Sequence, residues 1–169
     1  MKAIVIFGFF TILYLCIGCS KTPAEGTDLN LYNRAIAMGF GVTYYKNDST
    51  PLAKSSGSGH SQPFLITYYD FSIASKNLDG NGKVKAGSKF EEGSLVVKKL
   101  LNSNKIIDRY AIMYKQTGHI DADENGWVWG YINADKSIAE KASNKGVACK
   151  SCHGQSGNID FTLQNKFFP

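Results

Sequence analysis

Two thiols and an imidazole stand together near the C-terminus, in the run Cys149-Lys150-Ser151-Cys152-His153. At this spacing two cysteines can add to the vinyl groups of a haem, while the histidine beside the second thioether offers a nitrogen to the iron. A Cys-x-x-Cys pair also serves as a redox disulfide or as half of a zinc cluster. The other two cysteines, Cys16 and Cys19, have the same spacing but fall at the end of the apolar N-terminal run, where they are read as leader and lipid site rather than zinc ligands, and no thioredoxin-like strand-to-helix pattern surrounds the motif. Covalent attachment of one haem c through Cys149 and Cys152, with His153 as the proximal iron ligand, is therefore the preferred chemistry.

The elements that must carry this motif read as α+β. Leu29, Tyr32, Ala35, Ile36 and Phe40 recur at helical spacing, with Thr27 or Asp28 available as a cap. Residues 47–62 are rich in Ser, Gly and Pro and lack a period, so a loop is expected there. Runs rich in β-branched and aromatic residues at 63–70, 93–101, 106–115 and 126–133 predict an antiparallel sheet of about four to five strands. A helical turn is expected at 71–76. A second helix is expected from Asp135 to about Asn144, ended by Gly146 and delivering the chain to Cys149.

Residues 77–82 and 121–126 resemble the first half of a calcium loop, but the twelfth positions hold Ser88 and Ile132 rather than Glu. Both are read as polar hairpin turns; calcium at Asp121, Asp123 and Asn125 would need a distant ligand. His60 and His119 fall in polar loops and are expected at the solvent surface. Met113, on a strand, is expected in the core.

Composition narrows the class. The chain has 169 residues, 43% of them hydrophobic, enough for one core. Its formal charge of +5 rests on dispersed lysines and only two arginines, Arg34 and Arg109, a pattern that does not favour nucleic-acid binding. Residues 1–18 have a charged head and an apolar run shorter than the ~20 residues of a bilayer span, as in a secretory signal. Ile17-Gly18-Cys19-Ser20 resembles a bacterial lipobox, although Cys16 stands where Leu is usual. Cys19 is then the lipidated first residue of a membrane-anchored protein on the periplasmic or cell-surface side. Residues 19–27 follow as lipid site and flexible tether, and 28–169 as the haem domain.

The order of segments resembles the cytochrome P-460 and cytochrome c′-β family of β-sheet haem c proteins. The matching pieces are Phe90-Glu91-Glu92-Gly93-Ser94-Leu95-Val96-Val97-Lys98-Lys99-Leu100, Gly126-Trp127, the haem motif, Asp160-Phe161-Thr162 and Phe167-Phe168-Pro169. The resemblance implies a homodimer and puts Lys98 where P-460 members bond a lysine to the porphyrin edge; c′-β members hold haem without that bond. It also implies a distal pocket at Leu65, Ala111, Phe64 and Met113. Ala111 stands where hydroxylamine-oxidising members carry a carboxylate, and Leu65 where some carry arginine.

Three functions follow. An open distal site on an apolar pocket implies binding of NO or a similar small diatomic or nitrogenous ligand. A Lys98–haem bond implies an enzyme oxidising hydroxylamine or NO. A sixth ligand from Met38, Met113, His60 or His119 implies an electron carrier with a redox partner that the residues do not identify.

Overall fold

A computed structural model describes residues 21–38 and 41–162. The signal segment, Cys19, Phe40 and the final Phe167-Phe168-Pro169 lie outside the described residues.

One antiparallel sheet dominates. Its strands are β1 (Val42–Tyr44), β2 (Leu52–Ala53), β3 (Phe64–Asp70), β4 (Leu95–Leu101), β5 (Ile107–Lys115), β6 (Trp127–Asn133) and β7 (Ile138–Glu140). They order as β1-β3-β4-β5-β6-β7, with β2 also paired to β3. The four long strands are those expected from the sequence. The other three are two or three residues long, too short for a period-2 pattern to register. Helix α1 spans Gly26–Ala37 and α2 spans Val147–His153, so the α+β class holds.

The sheet is buried on both sides, and strand alternation sorts its residues between two cores. One face carries Tyr68, Val97, Ile112, Val128 and Ile132, against which α1 sets Leu31, Tyr32 and Ala35. Tyr68 there donates its hydroxyl hydrogen to the carbonyl of Ala35 at 2.9 Å. The opposite face carries Tyr69, Val96, Met113 and Trp129, joined by Phe90 and Trp127 and packed by Cys149 and Phe161. This second face positions the Cys149–His153 run.

Several local expectations fail for identifiable reasons. Neither proposed cap serves α1: Glu25 occupies the N-cap without a side-chain hydrogen bond. Thr27 donates to Asp121 at 2.6 Å, and Asp28 accepts the N–H of Ala142 at 2.9 Å, tying α1 to the segment before α2. Residues 21–25 are docked rather than a free tether: Ala24 donates to Lys136 O, Ile138 donates to Thr22 O, and Lys21 pairs with Asp135 at 2.6 Å.

The helix expected from Asp135 to Asn144 is absent. Asp135 instead accepts the N–H of Ser137 in a turn, β7 follows, and a single 3₁₀ turn spans Ala142–Asn144. The helix lies over the cysteine motif itself. Gly146 begins it rather than ending the expected one, with φ of +66° and the Trp129 ring directly above its backbone.

A Cβ at Gly146 would lie 2.4 Å from the Trp129 ring, and its positive φ disfavours any other residue. Gly146→Ala is expected to destabilise the fold by about 1–3 kcal/mol, read as a lower urea midpoint at unchanged slope. An unchanged midpoint would refute the tight seating of α2 on Trp129.

Candidate functional site

The sheet's second face, helix α2 and the loop 55–60 enclose a cavity of about 330 Å³, within the size range of small-molecule sites. β4 contributes Val96 and Lys98, β5 contributes Ala111 and Met113, and β6 contributes Trp129 and Tyr131. These residues share one face because the register pairs Lys98 with Ala111 and Ala111 with Tyr131, one step from the row Val96, Met113 and Trp129. Cys149, Cys152 and His153 line the cavity from α2. Both cysteines are free thiols, three residues apart and thus neighbours along one side of the helix.

His153 is fixed from two sides. Its ring meets Trp129 edge-on, with centroids 5.3 Å apart. Its Nδ1 lies 2.7 Å from the carbonyl oxygen of Phe161. A carbonyl only accepts, so Nδ1 carries the proton and Nε2 keeps its lone pair, the tautomer a metal ligand needs.

The chain stores strain to make this contact. Asp160 and Phe161 both have positive φ, 42° and 68°, which is uncommon for residues with a side chain. The same kink aims the Asp160 carboxylate at the Phe90 N–H (2.8 Å), Trp127 Nε1 (3.3 Å) and Lys115 Nζ (3.3 Å). The Asp160-Phe161-Thr162 run thereby buttresses the histidine from behind, and Thr162 reaches the cavity.

Sequence reasoning missed the wall formed by the loop 55–60. His60 is half-buried and lines the cavity, rather than standing in solvent, with Nδ1 3.2 Å from the Tyr131 hydroxyl. Ser55 also lines it, and its Oγ is buried without a hydrogen-bond partner. Nothing periodic in the Ser/Gly run signalled this wall; a lone histidine after a glycine-rich turn, able to fold back on a sheet, was the available cue.

The expected distal set is only partly assembled. Leu65, Ala111 and Met113 line the cavity, but Phe64 does not. As the neighbour of Leu65 on β3 it points to the opposite face, under the Lys105 ammonium. The pocket is also less apolar than expected, since His60, Lys98 and Glu140 face it. His119 lies away from it, its Nδ1 accepting the Asp121 N–H at 3.1 Å, and Met38 packs near α1. In the calcium-like turns, Asp79 accepts the N–H groups of Asn81 and Lys83, and Asp123 those of Asn125 and Trp127. These contacts give the backbone carboxylate oxygens that a calcium loop gives to the ion.

Burial sets the charge states. It pushes the Lys98 ammonium down to about 8, so that near pH 8 about half the molecules carry a neutral amine. Burial, and secondarily the Lys98 charge, depress His153 to about 4. Burial foremost, then the charges of Lys98, His153, Arg109 and Lys54, depress His60 to about 3. Burial, reinforced by Glu140 and Cys152, raises the Cys149 thiol to about 11.

Both imidazoles are therefore neutral near pH 7. A histidine depressed below its unfolded value of ~6.5 binds its proton in the unfolded chain first. The unliganded chain should lose stability as pH falls from about 6.5 towards 4, and its His60 and His153 ring resonances should stay unshifted between pH 5 and 8. Either ring titrating near 6.5 by NMR would contradict the buried arrangement.

Comparison with family models, curated proteins and solved structures finds no match to this chain, so the reading of the cavity rests on its own residues.

Proposed function

We propose that this chain is an extracytoplasmic mono-haem c protein that binds NO or a similar small ligand in the cavity beneath α2. The observation that carries the reading is convergence. Two thiols on one helix, an imidazole with its Nε2 lone pair free, and a half-buried lysine line the same cavity, although Lys98 lies far from the motif in sequence.

The donor set fits the group. Cys149 and Cys152 would form its thioethers and His153 Nε2 would bind its iron, while the unpartnered Ser55 Oγ supplies a polar atom to whatever fills the space. When bound, the haem would supply an iron atom able to hold a diatomic or nitrogenous ligand. The chain's own part is to orient His153 through Phe161 and Trp129, to shield the site with the second core, and to hold a partly neutral amine beside it.

The oxidising enzyme is retained as a second reading on one observation: Lys98 lines the same cavity as the thiols with its ammonium destabilised, which favours the nucleophilic form of the amine. The family resemblance adds a homodimer to the proposal, and the lipobox-like run Ile17-Gly18-Cys19-Ser20 adds membrane attachment through Cys19.

Co-expressed with haem-attachment machinery, the wild-type chain should carry haem that resists acid-acetone extraction, and Cys149→Ala/Cys152→Ala should lose it. Extraction-resistant colour in that double variant would sink the attachment. The ferrous protein should be high-spin and take up CO or NO; a low-spin spectrum indifferent to both would leave electron transfer instead. Tryptic mapping separates the two readings, since a Lys98 peptide joined to the haem peptide marks the cross-linked form and a free one in good yield excludes it.

A further inference from the structure

The loop wall of the cavity lacks an assigned role, and its one imidazole is held as deliberately as His153. Residues 55–60 read Ser-Ser-Gly-Ser-Gly-His, with Gly57 and Gly59 allowing a compact fold. The fold is closed by hydrogen bonds from Ser58 N to Ser55 O at 3.0 Å and from Lys54 N to Pro63 O at 2.9 Å. Lys54 Nζ also donates to the carbonyl of His60 at 2.9 Å. The His60 ring lies over Tyr131, with centroids 5.7 Å apart and planes tilted by 32°.

Trp129 and Tyr131 are two residues apart on β6 and face the same way, so their side chains stand about 7 Å apart along the strand. His153 rests against the first and His60 against the second. The cavity is thus bounded by two imidazoles whose separation follows from the strand.

The two rings differ in chemistry. Phe161 O makes Nδ1 of His153 a donor and Nε2 a Lewis base. The partner of His60 Nδ1 is a hydroxyl, which can donate. The Arg109 guanidinium sits 4.6 Å from the centre of the Tyr131 ring, so a positive charge also faces this phenol. With Tyr131 O–H donating to Nδ1, the proton of neutral His60 resides on Nε2, which no described residue engages and which is left to meet a molecule in the cavity.

We propose that His60, set in this tautomer by Tyr131, is the hydrogen-bond donor to the small ligand held in the cavity, and that it favours polar ligands whose outer atom accepts a hydrogen bond. The inference rests on the haem reading above. It assigns His60 a contact with the ligand and Tyr131 a positioning role. An iron-bound NO or O₂ gathers negative charge on its outer atom and gains from such a donor, whereas CO gains little. Lys98 and Arg109 add positive charge of the same sense nearby.

The experiment uses the haem-loaded full chain. Wild-type ferrous protein should be five-coordinate before ligand is added. His60→Ala should release NO and O₂ about tenfold faster while CO release changes little, the loss of one neutral hydrogen bond. The C–O stretch of the CO complex should rise in frequency in this variant. His60→Gln, which keeps an N–H donor, should restore most of the slow release, and Tyr131→Phe should give an intermediate loss with haem attachment unchanged.

Two results would overturn the assignment while leaving haem binding intact. One is a C–O stretch and release rates that are identical in wild type and His60→Ala. The other is a six-coordinate low-spin wild type that becomes high-spin in His60→Ala, making His60 an iron ligand rather than a donor to ligand. Failure of the wild-type chain to hold haem covalently would instead overturn the reading on which the inference stands.

Discussion

The site depends on the placement of one indole. Trp129 is buried on β6, and its Nε1 donates to Asp123 Oδ2 at 2.9 Å. That bond fixes the ring in a plane that receives Gly146 on its face and meets His153 and Phe161 edge-on. Leaving a buried indole N–H without an acceptor costs about 1–3 kcal/mol, so Asp123 is tied to the ring's orientation. Asp123 is in turn positioned by the tight turn before β6, where it also accepts two backbone N–H groups. A turn outside the cavity therefore sets the angle at which the helix with both thiols meets the sheet.

The two-sided sheet divides labour. Its α1 face has interlocking tyrosines, including the edge-to-face pair Tyr32 and Tyr110, and hydroxyls spent on backbone carbonyls. The other face leaves space, bordered by ionisable and aromatic side chains together with the apolar Leu65, Val96, Ala111 and Met113. Rigidity on one side and a cavity on the other suit a small-ligand site, because the walls are preset before anything enters. The strain at Asp160 and Phe161 belongs to the same economy: the sheet over-determines the kink through Phe90, Trp127 and Lys115, and the result is a carbonyl aimed at one histidine nitrogen.

Much of this was legible in the residues. The four long strands announced themselves through β-branched and aromatic runs, and the gathering of Cys149, Cys152 and His153 through their spacing. Alternation along β4 puts Lys98 on one face with Val96, and both line the cavity. The failures share a physical origin in long-range contacts. Asp28 looked like a cap for its own helix but reaches Ala142, which lies 114 residues later. Residues 135–144 had helical composition, yet pairing with β6 and contact with residues 22–24 drew them into a strand. His60 looked solvated because loop composition carries no information about where a loop folds back.

Helix α2 also has a bearing on the reactivity of the thiols it carries. Oxidation of a vicinal dithiol requires thiolate, and with its pKa raised to about 11 Cys149 is ionised in only about one molecule in ten thousand at pH 7. Burial thus removes Cys149 as the attacking thiolate in exchange reactions near neutral pH, whereas in an unfolded chain the same thiol would ionise far more readily. The packing that seats Cys149 against the second core thus also quiets its sulfur as a nucleophile near neutral pH.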